Sequence, residues 1–128
     1  MNNKNKLPLS PHLQIYRLPL TALLSITHRL TGIILVLGSI FMVWLLAAAA
    51  DSSASYGPLV AQLGSWYGQV FLFGFVFSLY LHFCSGIRHL FWDVGLGFEL
   101  ETVDLTAKLV IACAIILTIA TWLVAAAG

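Results

Sequence analysis

Three long apolar stretches, near 26–50, 64–88 and 106–127, constrain this chain more than any other feature. A helix needs about 20 predominantly apolar residues to cross the hydrocarbon core of a bilayer, and each stretch is long enough. The first contains "LTGIILVLGSIFMVWLLAAAA" and the third "LVIACAIILTIATWLVAAAG", and neither string holds a charged residue. The middle run, "VFLFGFVFSLYLHF", spaces Phe71, Phe73, Phe75 and Phe77 with the alternation of a strand. Its intervening positions are also apolar or glycine, so a barrel strand would have no polar face to turn toward a lumen, and the length decides for helix. The expectation is an all-α membrane protein of three transmembrane helices. It forms one domain over 1–128, with short connections and neither internal repeat nor low-complexity tail.

Composition agrees with a bilayer home. Of 128 residues, 60% are hydrophobic and 9% charged, which leaves too little polar surface to coat a soluble globule. No basic run exists that could track phosphates, so lipid and not nucleic acid is the expected surrounding. The positions of the charges carry more than their sum. Lys4, Lys6, Arg17 and Arg29 precede or open the first span, Arg88 and Lys108 flank the second connection, and the first connection, "DSSASYGP", has no basic residue. The excess of basic residues on cytoplasmic segments then puts the N-terminus and the second connection in the cytoplasm, with a bacterial inner membrane as the simplest home. In "LPLSPHLQIYRLPL", Pro8, Pro11 and Pro19 block a continuous helix while the apolar residues and Tyr16 suit the membrane interface, so an N-terminal interfacial segment is expected. The first apolar run is longer than a signal-peptide core and reads as a retained span. Cys84 and Cys113 fall within spans and no C-x-x-C-H occurs, so neither a disulfide framework nor covalently attached haem is indicated.

Against this background "SITHRLTGI" stands out, because charged and ionisable residues within a span are expensive and usually serve a function. Ser25, His28, Arg29 and Gly32 follow helical offsets that stack them on one face. In the second span His82, Gly86, His89 and Asp93 do the same. Arg29 opens its span and Arg88 closes the next on the same membrane side, and His82 lies roughly 9 Å deeper than Arg88 at helical rise. The two faces can meet at one depth. An imidazole inside the bilayer, with a glycine one turn away, suits a non-covalent haem, whose propionates an arginine and a histidine nearer the surface would then meet. The plainer alternative is that His82 hydrogen-bonds another helix and the arginines anchor the headgroup region. Ser25 and Arg29 at the rim can also hydrogen-bond the carbonyl oxygen of a lipid-soluble quinone, or simply cap the helix and snorkel. "GIRHLFWD" is equally compatible with an interfacial anchor.

The strings "LSPHLQIYRLPLTALLSITHRLTG" and "HFCSGIRHLFWD" resemble the large cytochrome b membrane-anchor subunit of succinate dehydrogenase, respiratory complex II. The resemblance rests on the patterns S-x-x-H-R-x-[ST]-G and H-x-x-x-G-x-R-H and extends over essentially the whole chain. The family often has Arg-Pro where this chain has Leu7-Pro8 preceded by Lys6. The resemblance implies a three-helix subunit that pairs with a second, smaller anchor subunit to hold one haem b. The pair docks an iron-sulfur subunit with its clusters and a flavoprotein carrying FAD. It further implies that His82 is the haem axial ligand and binds the iron, that the partner anchor supplies the other ligand, and that His28 and Arg29 lie by the propionates. Ser25 and Arg29 would line the ubiquinone site, and His89 would stand behind the ligand. Succinate oxidation itself would belong to the partner subunits, so no catalytic residue of that reaction is expected here.

The alternatives are a fumarate reductase anchor, which shares the architecture, and a cofactor-free structural anchor. A small proton-coupled transporter would need an intramembrane carboxylate, and none of the five acidic residues lies mid-span.

Overall fold

The computed structural model describes residues 17–127, which form four helices: α1 (Leu20–Asp51), α2 (Ser53–Gly64), α3 (Trp66–Asp93) and α4 (Leu100–Ala127). There is no strand among the described residues, and the expected interfacial segment around Pro8, Pro11 and Tyr16 lies outside them. Helices α1, α3 and α4 are long and apolar enough to cross a membrane. The chain is an all-α, multi-pass membrane protein.

The spanning helices extend beyond the apolar runs, because helix ends follow backbone chemistry and not hydrophobicity. Pro19 is the last breaker before α1. It is extended (φ −64°, ψ 153°), and its carbonyl accepts from the N–H groups of Ala22 and Leu23 at 3.0 and 3.2 Å. Helix α1 therefore starts six residues before position 26, and Ser25, His28 and Arg29 all lie on regular helix. Helix α4 likewise begins ahead of its apolar run, with Glu101 in the first turn, where a carboxylate suits the positive end of the helix dipole.

The first connection is itself a helix. Ser52, extended at φ −165°, breaks α1, and its hydroxyl accepts from the Ser55 N–H at 3.3 Å to cap α2. Leu59 and Leu63, one turn apart, turn α2 toward α1 and α3 through a cleft shared with Phe41, Trp44, Tyr67 and Phe71. Helix α3 ends in a Schellman motif: the Leu96 N–H reaches Phe91 O at 3.0 Å and the Gly95 N–H reaches Trp92 O at 2.9 Å. Gly95 sits at φ +82°, a conformation glycine adopts without the penalty a Cβ imposes.

Helix α3 is the centre of the bundle, packing most extensively on α4 and next on α1. The core joins Leu24, Leu81, Ala107, Val110 and Ala114. Ala107, Ala114, Ser85 and Thr118 are fully buried small residues, the kind that lets helix backbones approach in a membrane, where packing and not the hydrophobic effect drives association. Most large apolar side chains face outward, Val43, Leu90 and Val124 among them. In water such a surface would aggregate, but in lipid it matches the solvent.

Candidate functional site

The faces of α1 and α3 that carry the sequence's polar residues do meet. The His28 ring lies between those of His82 and His89, stacked at 4.1 Å between centroids on the first (10° between planes) and 4.8 Å on the second (18°). His82 and His89 are two helical turns apart, roughly 10 Å along α3, and the single imidazole from α1 fills that gap.

Hydrogen bonds set the tautomer of two of these rings. His82 Nδ1 lies 3.1 Å from the backbone carbonyl of His28 and 3.1 Å from Thr31 Oγ1. A carbonyl only accepts, so in the neutral ring Nδ1 carries the proton and Nε2 keeps its lone pair. His89 is arranged the same way, its Nδ1–H donating to Ser85 O at 2.7 Å, with its ring edge-on to Trp92. His28 Nδ1 is buried and has no hydrogen-bond partner among the described residues. A buried polar atom in that state calls for a partner beyond the described residues.

Glycines set the spacing. A Cβ on Gly32 would stand 3.2 Å from His82 Cε1, so the absent side chain is what admits the ring against α1. A Cβ on Gly86 would meet only His28 Cε1, at 3.9 Å, leaving open space beside the column.

Ser25 is half-buried and Arg29 exposed, one turn and less from His28 on α1, and neither makes a side-chain hydrogen bond to a described residue. Asp93 is exposed and stays out of the column. Arg88 belongs to a different face: it is only 5% exposed, lies 4.0 Å over the Trp92 ring, and donates to Thr106 Oγ1 and Val103 O of α4, both at 3.1 Å. It braces two helices. A cavity of about 450 Å³ on that side, lined by Cys84, Arg88, Trp92 and Cys113 among others, includes none of the three histidines.

The described residues contain no cluster of three or more histidine, cysteine or carboxylate side chains able to hold a bare metal ion. Stacked rings run side by side and do not converge. What they offer is one lone pair at a time.

The model of the succinate dehydrogenase/fumarate reductase transmembrane subunit family matches residues 3–121. The chain belongs to this family. A succinate dehydrogenase cytochrome b556 subunit from Paracoccus denitrificans is 40% identical over 95% of this chain and 94% of its own length. The protein of that name from Rickettsia prowazekii (strain Madrid E) is 41% identical over 92% of each. A succinate dehydrogenase cytochrome b560 subunit from Reclinomonas americana is 34% identical over 91% of this chain and 85% of its own.

For this member of the family, the sequence pattern brought the three histidines to one place but gave Thr31 no role. Thr31 shares the helical face of His28 and Gly32, and that periodicity was the only signal available. The burial of Arg88 had none, because it depends on which residues of α4 come opposite.

Proposed function

We propose that this chain is the cytochrome b anchor subunit of a succinate dehydrogenase, holding haem b together with a second, smaller anchor subunit and lining the site where ubiquinone is reduced. The observation that carries the reading is His82: within a span, half-buried, with Nδ1–H committed to the His28 carbonyl, it presents an unprotonated Nε2 as an axial ligand must. The donor set fits the group further. One intramembrane ligand from this chain suits an iron whose second ligand comes from a partner, and the orphaned His28 Nδ1 suits a carboxylate such as a propionate. When bound, haem b supplies one-electron exchange beside the quinone site.

Ser25 and Arg29 have the chemistry to hold the quinone. The hydroxyl orients a carbonyl oxygen, and the guanidinium, a donor with a fixed positive charge, favours the negative charge that reduction brings to that oxygen. Their place near the opening turns of α1 lets a lipid-soluble substrate and aqueous protons meet. Electrons arrive from an iron-sulfur subunit fed by an FAD-bearing flavoprotein, where succinate is oxidised. The names of the relatives support the succinate over the fumarate direction.

The test is to purify the complex through a tag on this chain and record a pyridine haemochrome spectrum for wild type and His82→Leu. Co-purification of a flavoprotein, an iron-sulfur protein and a second small membrane subunit with about one b-type haem is expected, and His82→Leu should abolish or markedly perturb the low-spin signal. An unaltered spectrum in that variant refutes the ligand assignment, and haem-free wild-type complex refutes the cytochrome reading.

A further inference from the structure

We infer that Thr31 is the positioning residue that fixes the ring plane and tautomer of His82, an inference that rests on the haem reading above. Thr31 is only 5% exposed and sits on α1 between His28 and Gly32, directly opposite His82 on α3. A threonine hydroxyl in a helix has a routine use, back-bonding to its own helix, and Thr31 does this: Oγ1–H donates to His28 O at 2.9 Å. That donation spends the only hydrogen the hydroxyl owns. What remains on Oγ1 is lone pairs, and His82 Nδ1 lies 3.1 Å from them. The same Nδ1 lies 3.1 Å from the carbonyl that Thr31 itself grips.

The result is a three-membered knot in which one N–H is shared between two acceptors, both on α1, with one tied to the other. A single acceptor leaves an imidazole free to rock about its N–H···O axis. Two acceptors at equal distance fix the plane of the ring, and Gly32 allows the ring edge to lie flat against the helix. Because neither acceptor can donate to Nδ1, the tautomer is fixed with it, and so is the lone pair at Nε2. Hydrogen bonding at the far nitrogen also raises the basicity of a ligating imidazole, which favours ferric over ferrous iron.

Valine is close to threonine in shape, so Thr31→Val keeps the volume and removes the acceptor. It also sets a methyl carbon about 3 Å from Nδ1, inside the roughly 3.5 Å at which carbon makes favourable contacts. The ring must turn. Thr31→Ser keeps the hydroxyl and separates this effect from packing, and Thr31→Ala serves where the valine variant fails to assemble.

The experiment uses the assembled complex in four forms, wild type, Thr31→Val, Thr31→Ser and His82→Leu, with three readouts: haem content, the low-spin g-values of the ferric haem by electron paramagnetic resonance, and the haem midpoint potential. The expected outcome for Thr31→Val is retained haem with shifted g-values and a potential raised by up to tenfold in the ferrous-to-ferric ratio, about 59 mV for one electron. Thr31→Ser should restore both. Wild-type g-values and potential in Thr31→Val, or in Thr31→Ala, overturn the positioning role while leaving the ligand assignment intact if His82→Leu loses its signal. An unchanged spectrum in His82→Leu overturns both together. Equal perturbation by Thr31→Ser and Thr31→Val overturns the role of the hydroxyl in favour of the methyl group.

Discussion

Gly32→Ala adds a single methyl group, and the structure says where it goes. The new Cβ stands 3.2 Å from His82 Cε1 and 3.7 Å from Nδ1, closer than carbon atoms settle comfortably, so the ring has to retreat by a few tenths of an ångström. It has one direction in which to retreat, away from α1. Both acceptors of Nδ1–H, the His28 carbonyl and Thr31 Oγ1, are on α1 at 3.1 Å, so the same movement lengthens both bonds past the ordinary N–H···O range of about 2.7–3.2 Å. Weakening one net hydrogen bond costs about 1 kcal/mol, and overpacking of a tight contact about 1–3 kcal/mol. A total of about 2–4 kcal/mol corresponds to a haem affinity reduced by roughly thirtyfold or more. The assay is haem retention: dilution of the detergent-solubilised complex, followed optically, with Gly74→Ala as control. Nothing lies within 4 Å of a Cβ at Gly74, so an alanine there should be neutral or slightly stabilising. A Gly32→Ala complex that keeps its haem as long as wild type, with the same spectrum, would show that His82 does not depend on close approach to α1, and the whole account of the ligand's setting would fall.

Two further outcomes follow from the same geometry. Ser25→Ala and Arg29→Leu should each lower ubiquinone reduction at least tenfold while dye-linked succinate oxidation persists; wild-type rates with ubiquinone in both variants would remove these residues from the quinone site. A reporter fused after Gly128 should face the periplasm and one fused near Glu99 the cytoplasm, as the positions of the basic residues require, and the reverse pattern would invert the membrane side of the histidine column.

The sequence revealed the elements whose signal is length. Runs of some 20 apolar residues have few alternatives, and α1, α3 and α4 were legible for that reason. Helix α2 was not. Its sequence, "SASYGPLVAQLG", holds Gly57 and Pro58 at its centre, a pair that reads as a turn, and its Leu59 and Leu63, one turn apart, face a cleft shared with its neighbours. The helical period likewise predicted that His28, His82 and His89 share a neighbourhood, because each lies on the polar side of an otherwise apolar helix. It could not say that His28 enters between the other two, since that depends on the axial offset of α1 against α3. The same limit hid the two roles of polar side chains between helices. Thr31 reads as a hydroxyl bonding its own helix, which it is, until His82 is seen 3.1 Å away. Arg88 reads as a residue at the membrane rim, until Thr106 and Val103 of α4 are seen to receive it.

The settings of His82 and Arg88 on α3 are mechanically linked. The imidazoles of His82 and His89 face α1 only if α3 keeps its rotation about its own axis, for a shift of one residue position turns a helical side chain by about 100°. On the α1 side the two acceptors of His82 Nδ1–H resist such a turn at one point, while the stacked rings themselves slide easily. A second constraint comes from the other side of the helix. Tyr80 OH lies 2.7 Å from Thr121 Oγ1, and eight residues on, Arg88 holds Thr106 and Val103 O. The attachment points are roughly 12 Å apart along α3 and more than 20 Å apart along α4, so the two long side chains reach in opposite directions. Splayed in this way, they resist sliding as well as rotation, and the buried Ala107 and Ala114 let α4 come close enough for them to connect. Each such bond between membrane helices contributes only about 0.6 kcal/mol on average, which is why the geometry of the pair matters more than its strength. Helix α4 carries none of the four histidines of the chain, yet through these braces it helps to set which way the histidine-bearing face of α3 points.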